Sequence, residues 1–466
     1  MPVNKAQVLE GMSCRKRLWW STYEPGEELD KTEVVQDLLS EGQAVGARAR
    51  EAFPGFEPEV PFEGDGVSIR TDLIDRSAGT VRLYEVKASN SIRDPRLVDD
   101  VAIQVHVLRA AGATVEKAHL VHLNTACKAP DLSNLFVVAE VTAEVEKRLP
   151  AIAEAIQTAR TTIEGSLPTV DIGAHCRRGK DDACPFIDRC WKEVPKHHVS
   201  ELYYIGGRWE EFAKAGHRTI DRLPDGVKLP KKETARQVRA IKEDRRIVEP
   251  GLGAALEAWR GPVACLDFET TSSAIPRYAG CTPWEQMPVQ FSVDYEVARS
   301  LPRRHFAWIA EDSADPRPAL AKALVEACRD AETIVAWYAS FEKACLKHLQ
   351  NAVPALAREL LDIEERLVDA LPVVRDHIYD PEFRGGFSIK KVQPALVREL
   401  PGYDTFEIQE GMTASVRLKK LMRGEPSLPA DRERIRRDLL EYCNFDTFGL
   451  RELIGKLREI AAAPTP

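Results

Sequence analysis

A chain of 466 residues with a formal net charge of −8 is long enough for two or three ordinary domains and is no basic nucleic-acid coat, so contact with phosphates must come from local patches or bound metal. No charged segment followed by an apolar stretch lies near Met1, and no run of about 18 uncharged apolar residues occurs, which predicts a globular, soluble, cytoplasmic protein with no membrane partner. The ten cysteines, most of them single in apolar contexts (Cys265, Cys345, Cys443), read as reduced thiols and not as a disulfide framework.

Texture divides the chain into three units, 1–199, 200–261 and 262–466, with strand and helix signals alternating in the first and third. In the first, "VSIRTDLIDRSAGTVRLYEVKASNS" predicts two alternating strands joined by a turn at Ser77 to Thr80, with Asp72 on the first strand and Glu85 and Lys87 on the second. Residues two apart in a strand share a face, so Glu85 and Lys87 converge. Two acids there can hold a metal, while a lysine positions water or stabilises developing negative charge. Alternating charged strands are common, and the cysteines add weight to the reading. Cys14 lies in "MSCRKRLWW", and "HCRRGKDDACPFIDRCW" supplies Cys176, Cys184 and Cys190.

One N-terminal and three clustered cysteines flanking Asp…Glu-x-Lys resemble the iron–sulfur members of the PD-(D/E)xK superfamily, which include RecB-like nucleases. The resemblance implies a restriction-endonuclease-like fold and a [4Fe–4S] cluster held by Cys14, Cys176, Cys184 and Cys190, with zinc as the rival ligand. It also assigns Gln104 to the next motif of the family, although Leu108 stands where a tyrosine is usual. The early Gly-x3-His of these nucleases is missing: Gly42 is followed by Gly46, which implies a site that binds metal more weakly, recruits another ligand, or mainly holds DNA.

The second unit is helical and charged. "YYIGGRWEEFAKAGHRTIDRLPDG" is loosely similar to a helix-hairpin-helix module. The basic stretch that follows, Lys228, Lys231, Lys232, Arg236, Arg239, Lys242, Arg245 and Arg246, reads first as a solvated helix face and second as a phosphate track.

The third unit opens on "ACLDFETTSS", which sets Asp267 and Glu269 on one face of a strand whose Cys265, Leu266 and Phe268 help fill the core. Convergent carboxylates persist where a divalent cation neutralises them, and hard oxygen ligands suit magnesium or manganese. In "RDLLEYCNFDTFGLREL" the apolar residues recur at helical spacing, and Tyr442 and Asp446 fall four apart on one face. Asp-x-Glu on a first strand with Tyr-x3-Asp on a last helix resembles the DEDD exonucleases of RNase H-like fold, in the variant that carries tyrosine. The middle motif lies at "IVAWYASFEKACLKHL", where Glu342 replaces the usual aspartate. Asp369 and the stretch "GGFSIKKV", with Gly385, Gly386, Ser388, Lys390 and Lys391, follow in the family's order and imply a substrate groove whose amides and lysines meet phosphates. The resemblance implies that Asp267 bridges two ions, that Glu269, Glu342 and Asp446 complete their shells, and that Tyr442 orients or deprotonates the attacking water.

The expected fold is therefore α/β: a restriction-endonuclease-like domain, a small helical connector and an RNase H-like exonuclease domain. Its order resembles a bacterial two-nuclease family of unknown function. The expected activity is metal-dependent 3′→5′ exonucleolysis of DNA, with Mg2+ or Mn2+, and an N-terminal site that cuts or grips the strand. Two other classes remain open: a nucleic-acid-binding or end-sensing component of a repair or defence complex with degenerate sites, and a redox sensor built on the cysteines.

Overall fold

The computed structural model describes residues 3–29, 32–76, 79–177, 183–296 and 302–463. It is mixed α/β and folds as two compact units, Met1–Glu193 with Ser272–Glu285, and Val194–Thr271 with Gln286–Pro466. The stretch 200–261 is thus part of the second unit and not a separate connector. The reason is burial: Ala240, Ile247, Leu252, Leu256 and Trp259 share a core with Leu450, Leu453, Ile454 and Leu457. Of its basic residues, Lys228, Lys231, Lys232, Arg239, Lys242 and Arg245 are exposed, whereas Arg236 is buried and donates to the carbonyls of Arg375 (2.7 Å) and Asp376 (2.6 Å), and the half-buried Arg246 pairs with Asp380 at 2.9 Å. Among the described residues no helix is long and apolar enough to cross a membrane.

The first unit is built on a five-stranded sheet in the order Glu57–Pro58, Leu73–Asp75, Val81–Val86, Val115–Leu123, Phe136–Glu140; only the Val81–Val86/Val115–Leu123 pair is parallel. Helices Lys5–Ser13, Pro95–Ala110 and Thr142–Glu164 supply much of its core through Val8, Val101, Val105, Leu108, Ile152 and Ile156. The alternation across residues 67–75 does not give one strand. Val67–Arg70 pairs with Pro61–Gly64 and Val3–Asn4 in a three-stranded sheet, whereas Leu73–Asp75 belongs to the larger one, so Asp72 sits at the break. Lys87 lies one residue past its strand, its amide still donating to the Val121 carbonyl at 2.8 Å. The turn expected at Ser77 to Thr80 lies partly outside the described residues, as does the end of the tail "AAAPTP". Segment Ser272–Glu285 joins this unit because Ala274 packs with Val45, Leu123 and Leu135, its amide donates to Glu41 (2.8 Å), and the Trp284 indole donates to the Ala88 carbonyl (2.6 Å).

In the second unit five strands lie in the order His305–Ile309, Met287–Tyr295, Val263–Thr271, Thr333–Ala336, Leu367–Asp369, the first two joints antiparallel and the last two parallel. The central strand is apolar on both sides. Ala264, Leu266 and Phe268 enter a core with Leu320, Leu324 and Leu346, while Val263 and Cys265 enter the core that receives the last helix, Pro429–Ala462. Polar pins fix that helix to the sheet: Gln290 donates to the Leu439 carbonyl (2.8 Å), Ser292 and Thr447 share a 2.7 Å hydrogen bond, and Arg451 meets the fully buried Asp294 at 2.9 Å. A rigid strand thereby faces a rigid helix.

Candidate functional site

Strand period and helix period converge at one place. On the central strand Asp267 and Glu269 continue the Val263/Cys265 face beyond the apolar core, just before the register shifts between Glu269 and Thr270. Asp446 comes to the same point from the last helix, and one oxygen from each of the three acids lies within 4.8 Å of the others. Tyr442, one turn earlier and 4% exposed, has its ring 5.3 Å from the Lys390 ammonium, as does Tyr403. Glu342, in the first turn of helix Ser340–Ala352, stands outside the 4.8 Å group and is nearly fully buried, and its Oε2 has no hydrogen-bond partner.

Buried like charges penalise one another. Burial, then Asp446, Glu269 and Glu342, push the Asp267 carboxyl well above the usual carboxylate range. Glu269 is raised in the same way by burial and Asp446, with Lys390 opposing. Burial lifts Asp446 to about 6, although the Tyr403 hydrogen bond and Lys390 pull it down, and burial lifts Glu342 to about 8. Three convergent hard-oxygen donors and a fourth acid with an unpartnered buried oxygen fit a divalent cation of the magnesium or manganese class. Tyr442 is driven far up by burial and by Asp446, Glu269 and Asp267, which keeps its phenol a proton donor.

Two partners of the acids carry no motif. The Tyr403 hydroxyl donates to Asp446 Oδ1 at 2.6 Å, from a short turn with no periodic signal. The Cys443 thiol, 3.5 Å from Asp267 Oδ2, was legible, since it lies three residues before Asp446 on the same helix face. Other expected residues serve the fold. Asp369 caps helix Ala370–His377, accepting from the amides of Leu371 (2.9 Å) and Tyr338 (3.0 Å). The Gly385 amide donates to the Tyr379 hydroxyl (3.0 Å) and that of Gly386 to the Phe383 carbonyl (3.0 Å), so neither is free for phosphate. Gly385 is required by close approach: at φ +73° an added Cβ would overlap the Glu201 carbonyl.

In the first unit Glu85, Lys87 and Gln104 do meet. Lys87 Nζ is 2.8 Å from Glu85, and the Gln104 amide donates to Glu85 at 2.7 Å. Asp72 Oδ2 accepts from the Val86 amide at 2.8 Å; burial and then Glu85 lift this carboxyl to about 7. Asp100 and Lys5 complete the group and were not singled out from the sequence. Asp100 falls four residues before Gln104 on one helix face, which was a usable signal; Lys5, far from the motif along the chain, gave none. Gly42 and Gly46 lie on helix Glu33–Ala52, where an added Cβ would meet nothing at Gly42 and only Arg50 at 3.8 Å at Gly46.

Cys14, Cys176, Cys184 and Cys190 line one pocket together with Lys16, Arg17, Trp20, His175 and Phe186, and all four are free thiols. Cys14 sits between helices Lys5–Ser13 and Arg15–Tyr23, and the Cys184 amide donates to the Cys176 carbonyl at 2.8 Å, folding the C-terminal cysteines back on themselves. Burial raises the Cys184 and Cys190 thiols. Among the described residues only the three acids of the second unit bring metal-ligating atoms within 4.8 Å of one another; the four sulfurs share a pocket without meeting that closely.

Residues 264–388 match the family described as Domain of unknown function (DUF2779). That span holds Asp267, Glu269 and Glu342 and stops before Tyr403, Tyr442 and Asp446. No curated protein matches the chain. A solved structure described as "Crystal structure of SSO0001" is similar at 16% identity over 40% of this chain and 83% of that chain, with a TM-score of 0.27, too low to carry an argument about fold.

Proposed function

We propose that the chain is a metal-dependent nuclease that releases nucleotides from the 3′ end of DNA at the centre formed by Asp267, Glu269, Glu342, Tyr442 and Asp446. The observation that carries the reading is the meeting of three carboxylates from a central strand and a distant helix within 4.8 Å, with the Lys390 ammonium set against them. The strand order of the second unit, two antiparallel joints then two parallel ones with the acids on the middle strand, supports an RNase H-like exonuclease fold. The Glu85–Lys87–Gln104 group beside Asp72 supports a restriction-endonuclease-like first unit that grips the strand, and the shared cysteine pocket supports a [4Fe–4S] cluster that ties its chain ends together.

Divalent cations, when bound, supply the charge that activates water and relieves the leaving oxygen. The chain's own residues do the rest. Asp267, Glu269 and Asp446 fix the donor geometry on rigid elements. Tyr403 orients the Asp446 carboxylate. Tyr442 donates a hydrogen bond that places the attacking water, and Lys390, above both tyrosine rings, offers positive charge to a phosphate.

The test is digestion of end-labelled single- and double-stranded DNA and RNA with Mg2+ or Mn2+, using wild type and Asp267→Ala. Stepwise loss from the 3′ end of DNA, abolished by D267A with DNA binding retained, supports the reading. Binding without cleavage by either form means an end-binding protein and sinks it.

A further inference from the structure

We propose that in the N-terminal centre the ammonium group of Lys5, and not a divalent cation, neutralises the acids. Lys5 Nζ lies 3.0 Å from Glu85 Oε1 and 2.8 Å from Asp100 Oδ1, and Lys87 Nζ reaches the same two acids at 2.8 and 2.5 Å. Gln104 Nε2 takes Glu85 Oε2 at 2.7 Å and Asp100 Oδ1 at 3.2 Å. Every carboxylate oxygen of Glu85 and Asp100 therefore already accepts from a nitrogen donor. With Asp72 included, three carboxylates face two ammonium groups, which leaves a single formal negative charge; the second unit's centre sets four acids against Lys390.

Lys5 is not a stray surface chain swung into the gap. It is the first residue of helix Lys5–Ser13, and the preceding Asn4 forms a reciprocal cap with Gln7 at 2.9 and 3.0 Å. Val3 and Asn4 pair in register with Val67 and Ser68, so the backbone that delivers Lys5 is held on both sides. A cation entering this centre would have to displace an ammonium from two largely buried carboxylates, leaving a buried charge to be solvated elsewhere. The residues present do not fit the metal that the Asp…Glu-x-Lys pattern implies. Lys5 is a positioning residue: it holds Glu85 and Asp100 in a closed ion-pair lattice, and divalent cations act in the second unit.

Mn2+ alone is the probe, its free signal followed by electron paramagnetic resonance on the full chain carrying D267A and D446A to silence the second unit. The expected result is no uptake with Lys5 in place, about one ion per chain after adding Lys5→Met, and loss of that ion when Glu85→Gln is added. Lys5→Arg, which keeps the charge, stays empty. Mn2+ uptake by the Lys5-containing chain that E85Q abolishes overturns the proposal, and so does a folded K5M chain that takes up none. If K5M does not fold, the Lys5-containing arm decides alone. Nuclease activity enters none of these readouts, so the outcome is separate from that of the digestion test.

Discussion

Without cations the second unit's centre is charged at a cost that pH exposes. Asp446 is lifted from an ordinary 3.8 to about 6 and Glu342 from 4.5 to about 8, so the folded chain binds protons that the unfolded chain has already released. The contribution to stability is complete below about pH 4 and is lost as pH rises through about 6 for Asp446 and about 8 for Glu342. At ~1.4 kcal/mol for each pH unit separating folded and unfolded values, Asp446 alone accounts for roughly 3 kcal/mol. In a unit of this size that lowers Tm by about 6–12 °C. Calorimetry in chelator between pH 4 and pH 8 should show this fall, smaller in Asp446→Asn, and saturating Mg2+ should remove most of it. Parallel falls in wild type and D446N, or a fall that Mg2+ leaves untouched, would refute the electrostatic account.

Three further outcomes follow from single contacts. Tyr403→Phe removes a hydrogen bond that lowers Asp446, so the acid limb of the pH–rate profile should move to higher pH and turnover should drop about tenfold; an unmoved limb would show that the hydroxyl does not set this carboxylate. Gly385→Ala forces a Cβ onto the Glu201 carbonyl at positive φ and should cost the second unit about 1–3 kcal/mol in urea unfolding, where an unchanged midpoint would contradict the close approach. Cys176→Ser should abolish the visible absorbance of anaerobically purified protein, and loading of wild type should tighten as pH rises because the raised Cys184 and Cys190 thiols must ionise. Protein without bound iron in both forms would remove the cluster from the account.

Local period made the Asp267/Glu269 pair and the Tyr442/Asp446 pair readable, because both lie in long regular elements pinned by core packing. The break at Asp72 was not readable: residues 67–75 alternate as one strand, and only pairing with Val3–Asn4 on one side and Glu57–Pro58 on the other divides them between two sheets. Tyr403 and Lys5 reach their acids through tertiary placement, which no spacing encodes. Gly385 and Gly386 look like an anion-binding loop, yet their amides are consumed internally. The charged stretch after Gly226 reads as solvated, but Arg236 is 7% exposed because backbone carbonyls of its own unit satisfy it.

Diffraction from crystals soaked in Mn2+, recorded at the manganese edge, tests the central claim most directly. The account predicts anomalous density between Asp267, Glu269 and Asp446, absent after Asp446→Ala. Density elsewhere on the chain with none at these three carboxylates would contradict it.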